Sequence, residues 1–274
     1  MNQFFLRGSR RGLASLSQSK LMKFPYRLDK LKLTLDVAKP YEFKDIAALT
    51  AKNFCKDDPV AKAAGCLPED FYDLAMNDLK QSKNTCLSFA LKNDSSEIVS
   101  ALIVEDFPFT ESHQDPSARP LHSKYDVVFA LLGQMRSSFR TYYKENKLTG
   151  KVGILSLGLV SDEYKGKNLL LHMINAVATT ALASGFSHCF GEFTNMFSQR
   201  SALQAGMKKI YSIPYDSFVF NGKKPFQGLN NAMTDYANSK VGKKKFSNLA
   251  PECILMYAPF IDVLNATSSL LNLH

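Results

Sequence analysis

The segment from residue 152 to residue 193 constrains the fold of this chain more than any other stretch. It contains, in order, an apolar run, a polar turn, a helical pattern, a glycine and a second apolar run, at 152–160, 161–167, 168–183, Gly185 and 186–193. Two strands joined by a crossover helix of this length pair in parallel, because antiparallel neighbours need only a tight turn. We therefore predict a βαβ unit inside a mixed α/β fold.

The remaining patterns extend this unit to one domain. Period-two alternation predicts a strand at 31–37. Further strands are predicted at 85–91, 98–107, 210–220 and 253–259, the first two of these forming a hairpin across the turn at 93–96. Helical spacing predicts helices at 45–54, from Pro68 onward, at 127–143 and at 197–205, the last closed by Gly206. We expect an α/β domain over 31–260, with a polar insertion at 221–250, a tail at 261–274, and a central mixed, twisted sheet of about six or seven strands flanked by helices on both faces.

Residues 1–30 have the composition of a targeting segment rather than of a folded domain. Five basic residues and four serines occur in the first 23 positions, and no acidic residue precedes Asp29. An Arg-rich, Ser-rich, acid-poor start is typical of a mitochondrial transit peptide. We predict a targeting segment and a location in the mitochondrial matrix or on the matrix side; a flexible basic tail that binds nucleic acid is the alternative.

The net charge of +9 also includes a lysine cluster at Lys240, Lys243, Lys244 and Lys245. No aromatic residues alternate with these lysines, so a solvated loop is favoured over a nucleic-acid platform. The five cysteines and five histidines show no metal-ligand spacing, and no apolar run approaches the ~18 residues of a membrane span. We expect no metal, no nucleic acid and no transmembrane segment.

Four segments resemble the GNAT N-acetyltransferase superfamily, and in particular its arylalkylamine branch. They are GLVSDEYKGKNL at 158–169, GEFTNMFS at 191–198 followed by a glycine turn at 206, FCKDDPV at 54–60, and Tyr215 with Phe218. The resemblance covers roughly 31–257 and implies a GNAT-like fold. It also implies that acetyl-CoA, or another acyl-CoA, donates an acyl group to a small amine.

The resemblance assigns the cofactor site to the strand, turn and helix around residue 165. A helix N-terminus is a natural site for a pyrophosphate, because its first N–H groups lack intrahelical partners. Main-chain groups of the strand would hold the pantetheine arm. The implied cofactor residues are Leu157, Leu159, Val160, Lys165, Gly166, Lys167, Asn168, Leu169, Leu170 and Asn195.

The resemblance also assigns catalytic roles. Asp58 occupies the position of the base that would take a proton from the amine, and Thr194 and Ser198 are candidates for a proton relay or acid. Each has a structural alternative: a turn residue for Asp58, a helix cap for Thr194 and a solvent-facing hydroxyl for Ser198. The acid that protonates the leaving thiolate stays open among Tyr211, Tyr215 and Tyr257.

The turn departs from the family pattern at three positions. Lys165 replaces glutamine or arginine, Asn168 replaces glycine, and Leu170 replaces glycine or alanine. Asp58 is also one methylene shorter than the glutamate of the branch. Two hypotheses follow: an active N-acyltransferase, or a catalytically degenerate domain that has lost its cofactor and serves as a subunit of a mitochondrial complex. In the second case the insertion and the apolar tail would be docking surfaces for protein partners.

Overall fold

The computed structural model of the protein describes residues 23–82, 87–109, 125–229 and 252–272. The expected leader up to residue 22, the lysine cluster at 240–245 and most of the 221–250 insertion lie outside these ranges. The mitochondrial address therefore stays a prediction.

Eight strands form one sheet in the described part of the chain, against the six or seven expected. The strands are β1 (Tyr26–Leu28), β2 (Leu33–Val37), β3 (Phe89–Lys92), β4 (Ile98–Asp106), β5 (Lys151–Val160), β6 (Phe186–Phe193), β7 (Lys208–Pro214) and β8 (Glu252–Pro259). Their order across the sheet is β1-β2-β3-β4-β5-β6-β8-β7. Neighbours are antiparallel except β5 and β6, which pair in parallel and confirm the βαβ unit.

Helices cover both faces of this sheet, as expected. The seven described helices are α1 (Phe43–Asp57), α2 (Pro59–Ala63), α3 (Pro68–Ser82), α4 (Asp126–Glu145), α5 (Leu169–Ala183), α6 (Met196–Gln204) and α7 (Phe260–Leu271). Helices α1 to α4 bury one apolar cluster against one face, and α5 to α7 bury a second cluster against the other. No helix among the described residues is long and apolar enough to cross a membrane.

Several short elements of the described part of the chain were not predicted. Strand β1 lies inside the segment 1–30, and its Leu28 is buried and pairs with Leu33 of β2. The five-residue helix α2 follows α1 directly, and strand β7 ends at Pro214, where the chain enters a short 3₁₀ helix at Tyr215–Ser217. Elements of three to five residues are too short to show a clear hydrophobic period.

The C-terminal residues form helix α7 rather than a free apolar tail. Phe260 and Val263 are each 1% exposed against the β5–β6 side of the sheet. The buried amide of Asn175 in α5 donates to the hydroxyl groups of Thr267 at 2.8 Å and Ser268 at 3.0 Å. Phe260, Val263 and Leu264 are therefore core residues, because the helix buries one apolar face intramolecularly, whereas Leu270 is 52% exposed.

Gly206, predicted to close α6, adopts the left-handed conformation with φ +82°. A Cβ at this position would lie 3.0 Å from the Cβ of Ala266 in α7, whereas one at Gly185, with φ +80°, would meet nothing within 4 Å. We expect Gly206→Ala to lower the free energy of unfolding by about 2 kcal/mol, and Gly185→Ala by only the conformational cost of ~1 kcal/mol. Urea denaturation of both variants measures the difference; equal losses would contradict close packing between α6 and α7.

Candidate functional site

Strands β5 and β6 separate halfway along their length, which opens a wedge in the sheet. Their last paired residues are Leu155 and Gly191, although β5 continues to Val160 and β6 to Phe193. At the same point β5 bulges against β4, where Ile103 pairs with Leu157 and Val104 with Leu155. Beyond the bulge β5 stays paired with β4 on one edge only, so its other edge presents main-chain groups to the wedge.

The main-chain groups that face the wedge belong to Gly158 and Val160. The carbonyl of Leu159 accepts the hydroxyl of Ser100 in β4 at 2.6 Å, and the N–H of Ser161 donates to Val99 of β4 at 2.8 Å. Alternate residues of a strand direct their N–H and C=O to the same edge. Leu157 and Leu159 therefore direct their main-chain groups at β4; of the three strand residues predicted to bind the cofactor, only Val160 faces the opening.

The turn between β5 and α5 presents consecutive free N–H groups. Among the described residues, none of the five backbone N–H groups from Gly166 to Leu170 donates to a backbone carbonyl. Asn168 is the N-cap of α5 with φ +58° and ψ +23°, the left-handed conformation that the glycine of the family pattern adopts easily. Asparagine tolerates this conformation better than most residues. The turn thus has the backbone of an anion site despite its altered sequence.

Leu170 is accommodated beside the exposed Gly158 of β5. A Cβ built on Gly158 would lie 3.1 Å from Cδ1 of Leu170, so the leucine fills the space that a side chain at 158 would occupy. Leu169, by contrast, turns into the core and is 2% exposed. The Leu170 side chain, which replaces a small residue of the family pattern, therefore lies along the edge of the wedge next to Gly158.

Lys165 is held by carboxylates. Its ammonium lies 2.7 Å from Asp57 at the end of α1 and 2.5 Å from Asp162, and Asp162 is also paired with Lys56. The hydrogen bonds from Lys165 and then Lys56 lower the pKa of the Asp162 carboxyl to about 2. Lys167 lies over the ring of Tyr164, 4.6 Å from its centroid. A phosphate binding at Lys165 would have to compete with two carboxylates.

Asp58 lies at the corner between α1 and α2 and is only 5% exposed. One carboxylate oxygen accepts the backbone N–H groups of Val60 at 3.0 Å and Ala61 at 2.8 Å, so Asp58 is the N-cap of α2. The other oxygen accepts the hydroxyl of Thr194. Burial raises the pKa of the Asp58 carboxyl above its ordinary value of 3.8, although these hydrogen bonds oppose the shift. Asp58 thus has a structural role as a helix N-cap rather than as the turn residue expected as its alternative, and it also contacts Thr194, the second candidate catalytic residue.

Thr194 and Asn195 connect the end of β6 to the α1–α2 corner. The hydroxyl of Tyr215 donates to the Thr194 carbonyl at 2.6 Å, and the Asn195 amide donates to the Asp57 carbonyl at 3.0 Å. Asn195, not Thr194, is the N-cap of α6, because its side chain accepts the N–H of Phe197. Ser198 donates to the Asn195 carbonyl at 2.7 Å. The structure thus brings Asp58, Thr194 and Asn195 together, with Ser198 turned back onto its own helix.

The three tyrosines left open as acids occupy different environments. Tyr215 is fully buried at the Thr194 carbonyl, and burial raises its pKa well above the ordinary value of 10.0. Tyr257 hydrogen-bonds to the ring of His188, near the start of β6 and away from the wedge. Tyr211 is 43% exposed on β7. Tyr215 is the one of the three in contact with a predicted site residue.

Sequence analysis missed four residues where the strands separate. Arg136 of α4 donates to both carboxylate oxygens of Glu192 in β6, at 2.9 and 3.4 Å, and the hydroxyl of Ser156 in β5 donates to Glu105 of β4. Ser156 lies between two leucines, so a polar residue in an otherwise apolar strand was the available signal there. The two pairs, Arg136 with Glu192 and Ser156 with Glu105, join four different elements and carry no sequence spacing.

Comparison with known proteins identifies the fold. No protein-family model matches the sequence. Among solved structures, the chain is similar to arylalkylamine N-acetyltransferase 2 from Aedes aegypti, with a TM-score of 0.66 and 16% identity over 83% of this chain and 99% of that chain. A polyamine N-acetyltransferase from Drosophila melanogaster has a TM-score of 0.62 and 12% identity over the same shares. The chain therefore has the GNAT N-acetyltransferase fold, as the motifs predicted.

Proposed function

We propose that the protein is an acyl-CoA-dependent N-acyltransferase that transfers an acetyl group to a small amine. The observation that carries this proposal is the wedge between β5 and β6, whose free strand edge at Gly158 and Val160 leads directly into the free N–H groups of 166–170. A free strand edge suits an extended amide-bearing arm, and a helix N-terminus suits a pyrophosphate.

The residues of the turn fit this donor. Asn168 already adopts the left-handed conformation that the turn requires. On the other side of the wedge, Asn195 connects the end of β6 to α1 through its hydrogen bond to the Asp57 carbonyl. Gly158 and Val160 would bind the amide groups of the pantetheine arm, while Lys165 and the N–H groups after it would bind the phosphates. When bound, acetyl-CoA supplies an activated thioester.

Asp58 and Thr194 supply the proton transfer in this proposal. The acceptor nitrogen must lose a proton to be nucleophilic, and the buried carboxylate of Asp58 is a stronger base than an exposed one because its pKa is raised. The Asp58 oxygen that does not cap α2 already accepts the Thr194 hydroxyl. Thr194 would take the proton of the amine as it passes its own proton to Asp58, which leaves the hydroxyl regenerated and the carboxyl protonated.

Titration calorimetry with acetyl-CoA, followed by an assay of thiol release with primary amines, tests the proposal. Saturable binding together with amine-dependent release of CoA is the expected result. Absence of heat at millimolar acetyl-CoA would contradict the proposal. Binding of acetyl-CoA without turnover of any amine would show that the protein binds the cofactor but is not an N-acyltransferase.

Leu170→Ala is expected to tighten acetyl-CoA binding, because it uncovers the free main chain of Gly158 at the edge of the wedge. Removing a steric obstacle of this size corresponds to about a tenfold lower Kd. Leu182→Ala is the matched control: it removes a half-buried leucine at the far end of the same helix and should leave the Kd unchanged. A weaker complex for Leu170→Ala would show that the side chain supports the ligand instead.

A catalytically silent acetyltransferase fold is the second candidate. Two observations favour it: Lys165 is paired with two carboxylates, and Leu170 lies beside Gly158. Both would weaken the binding of a phosphorylated ligand. Under this candidate the domain would be a structural subunit of a mitochondrial assembly. The same titration separates the two candidates, and N-terminal sequencing of protein from isolated mitochondria would test the proposed address.

A further inference from the structure

A cleft of about 440 Å³ lies on the α1 side of the sheet. Its walls are α1, the turn between β3 and β4, and the segment at 161–164 that follows β5. None of its described lining residues belongs to the Asp58–Thr194 pair or to the turn at 166–170. Small-molecule sites usually have volumes of roughly 300–1,000 Å³. The cleft is therefore large enough for a ligand other than the acyl donor and its acceptor.

Asn53 lines this cleft from α1 and carries a buried amide without a partner. The residue is 7% exposed, and within the described residues no atom accepts a hydrogen bond from its Nδ2. An unpaired buried donor costs ~1–3 kcal/mol, and most buried polar groups in proteins are paired. The Asn53 amide therefore lacks an acceptor that a ligand with a suitable oxygen would supply.

The charged side chains of the cleft are divided between its walls. Lys52 adjoins Asn53 on α1, whereas Glu97 lies in the turn between β3 and β4 and Glu163 lies in the segment after β5. In the part of the chain that the structure describes, Lys52, Glu97 and Glu163 form no ion pair. The α1 wall thus offers a positive charge and a donor, and the other two walls offer carboxylates.

Asp162, the other charged residue of the lining, is already neutralised by Lys56 and Lys165. A simple anion would be repelled by the two glutamates of the cleft, which carry more charge than Lys52 can balance. A simple cation would leave the Asn53 amide unpaired and would be repelled by Lys52. A ligand with both a negative and a positive end satisfies all three walls.

Apolar side chains complete the lining. They are Leu49 of α1 together with Ile98 and Val99 at the start of β4. Leu49 and Ile98 are half-buried, so part of their apolar surface remains uncovered. Small-molecule sites combine such apolar walls with a few polar groups that fix the orientation of the ligand. The lining therefore suits an aliphatic side chain on a dipolar ligand.

We propose that the cleft binds a free aliphatic α-amino acid as its zwitterion, independently of the proposed N-acyltransferase function. The carboxylate accepts the Asn53 amide N–H and pairs with Lys52, and the ammonium pairs with Glu97 and Glu163. A carboxylate suits the buried amide, because hydrogen bonds to a charged acceptor are stronger than those between neutral groups. Lys52 and the two glutamates are exposed and have several rotatable bonds, so they can close on a ligand held at Asn53.

Titration of the isotope-labelled full chain with L-leucine, followed by NMR, tests the inference. Saturable shifts are expected at the Asn53 side-chain amide and at the backbone amides of 161–164, with a Kd of about 1 mM or tighter. Isocaproate has the leucine skeleton without the ammonium, and isoamylamine has it without the carboxylate. Each analogue loses one charge-assisted contact, so each should bind at least ~10-fold more weakly than leucine.

Asn53→Leu replaces the unpaired amide by an apolar group of similar size. The thermal midpoint of the variant should be unchanged or higher, because no hydrogen bond of the folded state is lost. Its affinity for leucine should fall at least ~10-fold. A lower midpoint would show that the amide has a structural partner, and unchanged affinity would show that it does not hold the ligand; either result contradicts the inference.

The double variant Glu97→Gln with Glu163→Gln removes both negative charges at exposed positions, so it should fold normally. It should bind leucine no better than isocaproate. Glu69→Gln with Glu145→Gln is the matched control, since both positions are exposed and neither lines the cleft, and it should keep the preference for leucine.

Three results of the titration would overturn the inference. They are the absence of saturable shifts, shifts at Thr194 and Asn195 without shifts at Asn53, and equal affinity of the wild type for leucine and isocaproate. No acyl donor is added at any stage. The outcome therefore does not depend on whether the protein acetylates an amine, and failure of one proposal leaves the other standing.

Discussion

Asp58→Asn is expected to reduce kcat for amine acetylation by ~100-fold or more, the usual contribution of a general base. The substitution keeps the shape of the side chain and an oxygen that can accept the N–H groups of Val60 and Ala61, so the cap of α2 survives. It removes the negative charge that accepts the proton from Thr194. Steady-state kinetics with acetyl-CoA and a saturating amine measure the effect, and the Kd for CoA should be unchanged.

The pH dependence distinguishes this chemical role from a purely structural one. Because burial raises the pKa of the Asp58 carboxyl above 3.8, activity should fall as the pH drops through that raised value, and the variant should lack this limb. Stability has the opposite sign: the folded state binds a proton that the unfolded state has lost, so stability declines as pH rises through the same interval. At pH 7 the neutral variant should be at least as stable as the wild type. An unstable variant with unchanged kcat would make Asp58 a capping residue only.

Arg136→Met is expected to lower the free energy of unfolding by about 3 kcal/mol, because it removes the guanidinium that pairs with the buried carboxylate of Glu192. Glu192 is 5% exposed and receives two hydrogen bonds from Arg136. Methionine keeps most of the length and apolar contact of the arginine stem, so the loss reports chiefly on charge. Urea denaturation at pH 7 measures it.

Arg140→Met is the matched control for this prediction. Arg140 lies one turn further along α4, with its guanidinium 5.0 Å from the centre of the Phe107 ring, and should cost only ~0.5–1 kcal/mol. Adding Glu192→Gln to Arg136→Met removes the buried carboxylate charge that Arg136 balanced, and it should restore most of the lost stability. A double variant no more stable than Arg136→Met would show that packing, not charge, holds α4 to β6.

Sequence patterns predicted the long elements closely. Strand β6 has the predicted bounds, and β5 and α5 differ by one residue at their starts, because each repeats its hydrophobic period several times. The short β1 and α2 were missed for the opposite reason. The apolar tail at 261–274 was interpreted as a docking surface, but its apolar face is buried against the rest of the domain.

The sequence proposes candidate site residues but does not give their geometry. Asp58 and Thr194 are 136 positions apart, and their contact appeared only when the α1–α2 corner met the end of β6. The ion pairs of Lys165 and the position of Leu170 beside Gly158 likewise involve separate elements. Motif spacing identifies which residues occupy a turn, but it does not report which side chains face them.

Sequence by itself determined the βαβ unit and the class of fold, since these depend on local conformation and on hydrophobic period. Only the tertiary structure decided where β5 and β6 separate, which main-chain groups face the wedge, and that Arg136 pairs with Glu192 and Ser156 with Glu105. The physical reason is that local preferences act over a few residues, whereas charge pairing, burial and strand separation are set by contacts between elements distant in the chain.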